Sequence, residues 1–305
     1  MATYTKDQLT QYFQRIRYSP QYDKLSTDPL HFLTELQMYH MAAVPFESLS
    51  LHYSKHRIIS IDPEDLFQKV VRNGQGGYCM EVNTFFGAVL RSLGFFLIGV
   101  GGRVKSPALG YKGWDHMVNL VTINNKRYLV DVGFGADGPL QPVLLEDNHM
   151  IPLIGPAQAR LQYKSLEEHT DPSQRVWVYS TQETKDAPWT DRYSFVEIEF
   201  FPADFEVINL RMSTTPQSFF VQSVMCIRTQ LNFEKNGITS VVILFKDTVK
   251  KRFRVSESGV ESSQTELLAE LKTEDDRAKA LDKHFGIVLR PEEQRAIRGL
   301  ASELR

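Results

Sequence analysis

The hydrophobic period of this 305-residue chain changes near residue 95, and that change limits the possible folds more than any other feature. Before it, apolar residues recur at helical spacing in two groups, which are Tyr12, Phe13 and Ile16 and then Phe32, Leu33, Leu36 and Tyr39. After it, apolar and polar residues alternate in FFLIGVGGRV, HMVNLVTI and RYLVDVGF, which is the period of β-strands. Helices followed by a run of strands favour an α+β fold with separate layers.

Shorter signals predict the remaining elements. A third helix begins at Asp62-Pro63, and a fourth follows Cys79 and ends at Gly94. The fourth helix has one apolar stripe, formed by Val82, Phe85, Phe86, Val89, Leu90 and Leu93. Turns are predicted at Gly101-Gly102 and Asn124-Asn125. Strands are predicted at RVWVYS and YSFVEIEF, extended chain at FFVQSVMCIRTQL and TSVVILF, and helices at ELLAELK, DRAKALDKHF and PEEQRAIRGLASEL. We therefore expect three units, with helices in 1–94, mainly strands in 95–205 and a mixture in 206–305.

The composition excludes several classes of protein. Hydrophobic residues make up 42% of the chain and charged residues 24%, as in ordinary globular proteins. The formal net charge of −2 provides no basic field, so we expect neither nucleic acid nor a membrane as a partner. The N-terminal MATYTKDQLTQYFQRIRY lacks the apolar core of a secretion signal. Two distant cysteines, Cys79 and Cys226, suit a reduced, cytoplasmic setting and form no disulfide framework.

Motifs for cofactors are also missing from the sequence. The segment GVGGRV begins like a dinucleotide-binding fingerprint, but its sixth position is Val104 and no helical pattern follows. There is no GxxxxGK[ST] phosphate loop, and the eight histidines show no metal-ligand spacing. We therefore expect no metal site and no permanently bound cofactor.

The stretch NGQGGYCMEVN places Cys79 at the start of the fourth predicted helix, directly after Gly76, Gly77 and Tyr78. Glycines allow the chain to turn sharply or to pass close to another group. A thiol at a helix N-terminus lies at the positive end of the macrodipole, which favours the nucleophilic thiolate. A buried cysteine is nevertheless more often core filler, which is how we interpret Cys226.

A tight hairpin could give Cys79 its catalytic partners. If Asn124-Asn125 form a two-residue loop, His116 falls opposite Gly133, and Asp131 is its diagonal neighbour on the same face. Such neighbours have Cβ atoms about 7–8 Å apart, within reach of a hydrogen bond between long side chains. A three-residue loop would place Asp131 on the opposite face. Independently of the loop, the alternative is that His116 is a strand-edge residue bonded to backbone and Asp131 a solvated acid beside the turn.

Three ordered motifs, GGYCMEVN, WDHMVNLV and YLVDVGFG, resemble the arylamine N-acetyltransferase family. VPFESLSLH and STTPQSFFVQSVMC are similar to further family segments, so the likeness covers nearly the whole chain. The resemblance implies an N-terminal helical bundle, a central β-barrel and a C-terminal α/β lid. It also implies a Cys–His–Asp core like that of cysteine proteases.

Carried over position by position, the resemblance implies Cys79 as nucleophile, His116 as base and Asp131 as the acid that orients the base. It implies substrate binding at Phe134 and Gly135, although Phe134 is equally typical of barrel core. The chain departs from the family pattern at one visible place, where Gln75 replaces an arginine before the two glycines. A lost guanidinium puts the support of the loop in question more than its chemistry.

The implied activity is acyl transfer through an acyl-cysteine intermediate. Acetyl-CoA, or another acyl-CoA such as malonyl-CoA, would be the co-substrate, and arylamines, hydrazines or hydroxylamines would be acceptors, as in xenobiotic detoxification. A cysteine peptidase or transglutaminase-type enzyme uses the same three residue types in the same chain order and stays an alternative. A binding protein that keeps the fold without activity is another.

Overall fold

The structure is a computed structural model that describes residues 2–232, 237–257 and 260–304. Over these ranges the chain contains a group of N-terminal helices, two antiparallel sheets and a few later helices. None of the helices in the described residues has the length and apolar character needed to cross a membrane. This α+β arrangement confirms the fold class that the change of hydrophobic period predicts.

Most of the helices precede the first long strand. The helices of the described residues are α1 (Lys6–Ile16), α2 (Tyr22–Thr27), α3 (Pro29–Ala43), α4 (Pro63–Phe67), α5 (Cys79–Ser92), α6 (Pro202–Thr214), α7 (Phe219–Gln222), α8 (Glu274–Phe285) and α9 (Pro291–Ala296). A π-helical turn, Gln68–Arg72, continues α4. Gly94 has φ +90°, the left-handed conformation expected just beyond the end of α5.

The larger sheet has nine strands and forms a nearly closed, barrel-like layer, hereafter the barrel. Its strands are β2 (Phe96–Ser106), β3 (Gly110–Tyr111), β4 (His116–Ile123), β5 (Lys126–Val130), β6 (Val143–Leu144), β7 (Met150–Pro152), β8 (Gln158–Lys164), β9 (Val176–Gln182) and β10 (Thr190–Glu199). Their order is β6-β5-β4-β2-β10-β9-β8-β7, and β3 pairs with β2. Buried aromatic side chains fill the interior of this sheet, among them Tyr179, Tyr193 and Phe195.

The smaller sheet joins distant parts of the chain. Its strands are β1 (Phe46–Glu47), β11 (Met225–Asn232), β12 (Gly237–Phe245), β13 (Thr248–Glu257) and β14 (Val260–Glu270), paired in that order. The two residues of β1 pair with Ile227 and Cys226 of β11. Two residues from the helical region therefore complete a sheet made by the C-terminal third.

Helix α5 lies between the helical layer and the barrel. The predicted stripe is buried at Val82, Phe85, Phe86, Val89 and Leu90. These side chains belong to the core formed with α1 and α3, and α5 also packs against β2 and β4. Burying each such side chain contributes roughly 1.5–3 kcal/mol. The core therefore fixes α5, and Cys79 at its first turn, relative to the barrel.

The predicted turn at Gly101-Gly102 is wrong, because both residues lie inside β2 and pair with β4. A Cβ on Gly101 would lie 2.4 Å from the ring of Phe200, and one on Gly102 would lie 3.0 Å from the carbonyl oxygen of Ser194. The glycines thus allow neighbouring groups to approach the strand closely. Sequence alone does not distinguish this role from a turn.

Two predictions in the C-terminal third are also wrong. ELLAELK was predicted as a helix, but Glu266–Glu270 belong to β14 and pair with β13. Here the long ladder with β13 overrides the helical preference of Leu, Ala and Glu. FFVQSVMCIRTQL is extended only from Met225, because Phe219–Gln222 form α7.

The division of the chain into three units stays a proposal. We propose the first division after residue 94, between the end of α5 and the start of β2. The second division, after residue 205, lies within α6.

Candidate active site

Backbone packing explains the glycines before Cys79. A Cβ on Gly76 would lie 1.7 Å from the carbonyl oxygen of Pro45, and one on Gly77 would lie 2.6 Å from the side chain of Glu81. The N–H of Gly77 donates to the Pro45 carbonyl at 3.3 Å, and its own carbonyl accepts from the N–H of Glu47 at 2.9 Å. The Gly76-Gly77 loop is therefore clamped against the start of β1 in a space too small for side chains.

Cys79 is the first residue of α5 and is 2% exposed. Its Sγ lies 3.8 Å from the carbonyl oxygen of Asp115, the residue before β4. It lines a cavity of about 650 Å³ that also contains His116. The thiol thus meets the N-terminal end of a helix, a histidine and a space large enough for a small molecule.

The hairpin of β4 and β5 brings His116 and Asp131 together. Asn124 and Asn125 have φ of 50° and 61° and form the predicted two-residue loop, and residues 123 and 126 pair as that loop requires. His116 Nε2 lies 2.8 Å from Asp131 Oδ2, and both side chains are buried. Because Nε2 faces the carboxylate, Nδ1 is the nitrogen left for the thiol. The hairpin register is confirmed, and the structure brings the three predicted catalytic residues into one place.

Opposing effects set the charge of the His–Asp pair. Burial alone lowers the pKa of His116, but the carboxylate of Asp131 and the thiol of Cys79 raise it to about 10. Burial alone raises the pKa of Asp131, whereas His116, Asn83 and the N–H of Gly133 hold it below its ordinary value. At neutral pH the pair is therefore imidazolium and carboxylate. An imidazolium beside a thiol stabilises the thiolate.

Asn83, a residue of the GGYCMEVN motif for which no role was predicted, holds this pair in place. Its Nδ2 donates to Asp131 Oδ1 at 2.9 Å and to the carbonyl of Met117 at 2.8 Å, and its Oδ1 accepts from the N–H of Val132 at 3.0 Å. It lies one helical turn after Cys79, so α5 carries both the thiol and the support of the acid. A polar residue within the apolar pattern of α5 is the sequence signal that could have identified it.

A buried ion cluster supports the loop from beneath. Lys69 Nζ lies 2.6 Å from Glu81 Oε1 and 3.4 Å from Glu47 Oε1, and Glu47 accepts from the N–H of Gly76 at 3.3 Å. Burial raises the pKa of Glu81 to about 7, against the opposing charge of Lys69. Gln75 stands at the position of the family's arginine and brings no charge to the loop. Lys69 supplies a cation beneath the same loop.

The predicted substrate residues lie in different surroundings. Phe134 lines the cavity of Cys79, and its ring centroid is 5.3 Å from that of His116. It also lines a neighbouring space of about 660 Å³. Gly135 has φ +73° and packs beside Ile227 and Phe46, outside the residues that line the Cys79 cavity. Substrate binding at both positions stays a prediction.

The described residues contain no group of three or more His, Cys, Asp or Glu side chains placed to hold a metal ion.

Comparisons with known proteins indicate one family. The family model described as N-acetyltransferase matches residues 29–294. N-malonyltransferase FDB2 of Fusarium pseudograminearum (strain CS3096) is 38% identical over 287 residues, covering 88% of this chain and 81% of that protein. Arylamine N-acetyltransferase 2 of Mus musculus is 32% identical over 224 residues, covering 70% of this chain and 75% of that protein.

Solved structures similar to this chain include a complex with CoA. The arylamine N-acetyltransferase of Mycobacterium marinum in complex with CoA is 26% identical, with a TM-score of 0.74 that covers 96% of this chain and 99% of that one. Two findings assign the family. The family model matches most of the chain, and a relative above 30% identity covers most of both chains. This chain belongs to the arylamine N-acetyltransferase family.

Proposed function

We propose that the chain is an acyl-CoA-dependent N-acyltransferase in which Cys79 carries the acyl group between two half-reactions. One observation supports this most strongly: the buried thiol of Cys79 shares a cavity with His116, whose Nε2 is 2.8 Å from Asp131. This arrangement supplies a nucleophile, a proton carrier and a group that orients the carrier.

In the first half-reaction the Cys79 thiolate attacks the thioester carbonyl of acyl-CoA. The bond from carbon to the Cys79 sulfur forms, the bond to the CoA sulfur breaks, and the imidazolium of His116 gives its proton to the leaving thiolate. Unpaired N–H groups of the first turn of α5 are our candidates for binding the oxyanion. The products are acyl-Cys79, CoA and a neutral His116.

In the second half-reaction an amine attacks acyl-Cys79. The C–N bond forms, the C–S bond breaks, and His116 takes the amine proton, which restores the thiolate–imidazolium pair. Aromatic amines are largely neutral near pH 7, so they arrive as competent nucleophiles. Asp131 keeps the imidazole in one orientation through both steps.

The relatives suggest both substrates. Their names support an arylamine acceptor, and they support acetyl-CoA or malonyl-CoA as the donor. The CoA complex of the mycobacterial protein supports CoA as the carrier of the acyl group. We propose that hydrazines and hydroxylamines are further acceptors, and that the role is detoxification of xenobiotic amines in a reduced, cytoplasmic setting, where the free thiols of Cys79 and Cys226 persist.

The family assignment favours this activity over a peptidase or a transglutaminase-type enzyme, although the same triad serves all three. Protection experiments separate them. If CoA esters are substrates, CoA protects Cys79 from alkylation, whereas a peptide substrate site gives no reason for such protection.

The direct test is incubation with an acyl-CoA in the absence of amine. We expect the intact mass to rise by one acyl group per chain, the adduct to map to Cys79, and an arylamine to remove it. Cys79→Ala is expected to form no adduct. An adduct at another residue, or no adduct with either acetyl-CoA or malonyl-CoA, would contradict the proposed function.

A further inference from the structure

The cavity of Cys79 has more positive charge than an acetyl group requires. Its lining is largely apolar, but three basic side chains contribute to it, from Lys105, Lys112 and Arg211. The lining also includes the acidic residue Asp115, whose Oδ1 accepts from the N–H of Val104 at 2.7 Å. An acetyl group is neutral and offers nothing to these cations.

Two of the three cations lack an acidic partner in the part of the chain that the structure describes. Lys105 Nζ lies 3.5 Å from Asp191. By contrast, Lys112 and Arg211 make no ion pair and no side-chain hydrogen bond to any described residue. Both act on Asp115: burial raises its pKa, and the charges of His116, Lys112 and Arg211 oppose the rise. Both cations therefore lie within electrostatic range of Asp115, whose carbonyl is 3.8 Å from the thiol, and both line the cavity of Cys79.

Helix α6 holds Arg211 at a fixed position relative to the nucleophile. Two residues earlier, Asn209 Oδ1 accepts from the hydroxyl of Tyr78, the residue directly before Cys79. Asn209 Nδ2 donates to the carbonyl of Ile59 at 2.9 Å. The loop that presents the thiol and the helix that presents Arg211 are therefore joined by one buried amide.

We propose that Arg211 binds the free carboxylate of a dicarboxylic acyl group, so that malonyl-CoA is the preferred donor, and this proposal rests on the proposed function. A guanidinium presents two parallel N–H groups that match a carboxylate, which the single ammonium of Lys112 does not. Malonyl-CoA carries such a carboxylate one methylene from the carbon that Cys79 attacks. In the acyl-enzyme the same carboxylate remains next to α6.

With a malonyl group, the first half-reaction forms and breaks the same bonds and moves the same proton as described above. The Cys79 thiolate forms the new bond to the thioester carbon of the malonyl group, the bond to the CoA sulfur breaks, and His116 protonates that sulfur. The terminal carboxylate stays ionised throughout and is paired with Arg211. Differential binding of this group raises the rate with malonyl-CoA relative to acetyl-CoA.

The experiment must separate the acyl carboxylate from the phosphates of CoA, because a cation could bind either. We would measure the rate of acyl-Cys79 formation by intact mass with malonyl and acetyl thioesters of CoA. The same measurement with malonyl and acetyl thioesters of N-acetylcysteamine removes the phosphates. The variants are Arg211→Gln, Arg211→Lys and Lys112→Gln. Arg295→Gln is a control for the loss of an exposed arginine outside this cavity.

We expect the wild type to prefer malonyl in both thioester series. Arg211→Gln should lower the malonyl-to-acetyl rate ratio by roughly 10- to 100-fold, as for loss of a hydrogen bond to a charged group, and Arg211→Lys should retain part of it. Arg295→Gln should retain the wild-type ratio. The thermal midpoint of Arg211→Gln should match the wild type, since the side chain is exposed.

The other outcomes overturn the proposal. An equal loss with both acyl groups that appears only with the CoA esters would assign Arg211 to the phosphates. A selective loss in Lys112→Gln but not in Arg211→Gln would move the site to Lys112. A wild type that acetylates Cys79 faster than it malonylates it would reject the proposal and leave the proposed function intact. Failure of every thioester to modify Cys79 would reject both.

Discussion

Cys79 and Cys226 show how much the surroundings of a residue decide its chemistry. Both thiols are buried, at 2% and 0% exposure. Cys79 opens a helix, faces His116 and lines a cavity, whereas Cys226 lies in β11 between Glu47 and Leu244 in the strand ladder. Burial raises the pKa of Cys226 well above its ordinary value. Residue type and exposure alone would not separate the two.

We expect iodoacetamide at neutral pH to alkylate Cys79 and leave Cys226 unmodified. The reason is that the thiolate is the reactive form, and the imidazolium that stabilises it lies beside Cys79. Peptide mapping after brief treatment measures the two sites, and treatment in urea is the control that labels both. Preferential modification of Cys226 in the folded protein would contradict the assignment.

Asp131→Asn should lower turnover by roughly 10³- to 10⁴-fold while leaving the protein folded, as in the serine-protease triad. Asp131 Oδ1 accepts from Asn83 and from the N–H of Gly133, so the new NH₂ group would face His116 Nε2. That contact favours a proton on Nδ1, where the imidazole can no longer accept one from the thiol.

Steady-state rates measure the turnover of Asp131→Asn, and circular dichroism measures whether the variant is folded. Asp137→Asn is the matched control, since Asp137 is an acid on the same connection whose partners are Arg192 and Arg252. A near-normal rate with near-normal alkylation of Cys79 would reject the triad.

At the scale of elements, the loop before α5 depends on the cluster of Lys69, Glu47 and Glu81. Lys69 belongs to the π-helical turn Gln68–Arg72, and its carbonyl accepts from the N–H of Gln75 at 3.1 Å. Its side chain is 14% exposed, and it faces two acids with side chains of 0% and 3% exposure. The turn therefore supports the loop through both its backbone and its charge.

We expect Lys69→Met to destabilise the protein by about 3 kcal/mol, the lower end of the range for breaking a buried ion pair. Removing the cation leaves Glu47 and Glu81 buried without a neutralising charge. Urea unfolding measures the change, and Lys55→Met, at an exposed lysine, is the control. Equal unfolding midpoints for both variants would show that the cluster contributes no stability.

The sequence predicted elements where the signal was local. The Asn124-Asn125 loop defined the register of β4 and β5, and the stripe from Val82 to Leu90 defined α5. Predictions were wrong where distant residues decide the structure. The turn predicted at Gly101 is an example, because this glycine lies in a strand and leaves room for the ring of Phe200, which follows β10. Helix α6 is an exception, because it was not predicted although its start carried a local signal. Pro202 is its first residue, and Asp204 accepts from the N–H of Phe201 at 2.8 Å.

The site followed the same rule. Cys79, His116 and Asp131 could be predicted as site residues, because one lies at a helix start and two lie on a hairpin. Asn83 and Lys69 were not, because their roles depend on which layers pack against α5. Arg211 lies on α6, which was not predicted from the sequence, so its position at the cavity was not predicted either.

At the scale of the molecule, the His116–Asp131 pair lies where α5 packs against the barrel. Asn83 of α5 bonds to Asp131, and Asn119 of β4 donates to the carbonyl of Asn83 at 2.9 Å. The charge state of the pair is therefore coupled to the docking of the two layers, and folding stability should depend on pH.

We expect the stability contributed by His116 to decrease as pH rises above neutrality. Its folded-state pKa of about 10 exceeds the ordinary 6.5, so the contribution is complete below about pH 6.5 and is lost as pH rises through about 10. The lowered pKa of Asp131 acts oppositely, with a contribution present above its ordinary value of 3.8 and lost in acid. Over the window from pH 6 to 10 the contribution of Asp131 stays constant. Glu81, whose raised pKa is about 7, titrates in the wild type and in His116→Gln alike, so the difference between these two proteins isolates the histidine.

Urea unfolding of the wild type and His116→Gln across this window is the measurement. The difference in unfolding free energy should narrow with rising pH, by an amount on the order of a few kcal/mol. His56→Gln, at an exposed histidine, should follow the wild type. A constant difference would mean that His116 holds no extra proton in the folded state.

The two residues of β1 have a consequence for how the enzyme is made. Glu47 and Phe46 clamp the loop that carries the nucleophile, yet their strand partners are Cys226 and Ile227, and Ser48 donates its N–H to Met225 at 3.2 Å. A ribosome finishes Cys79, His116 and Asp131 long before it reaches these partners. A nascent chain with all three catalytic residues therefore still lacks the strand that completes the clamp, and that strand can pair only after Cys226 and Ile227 have been made.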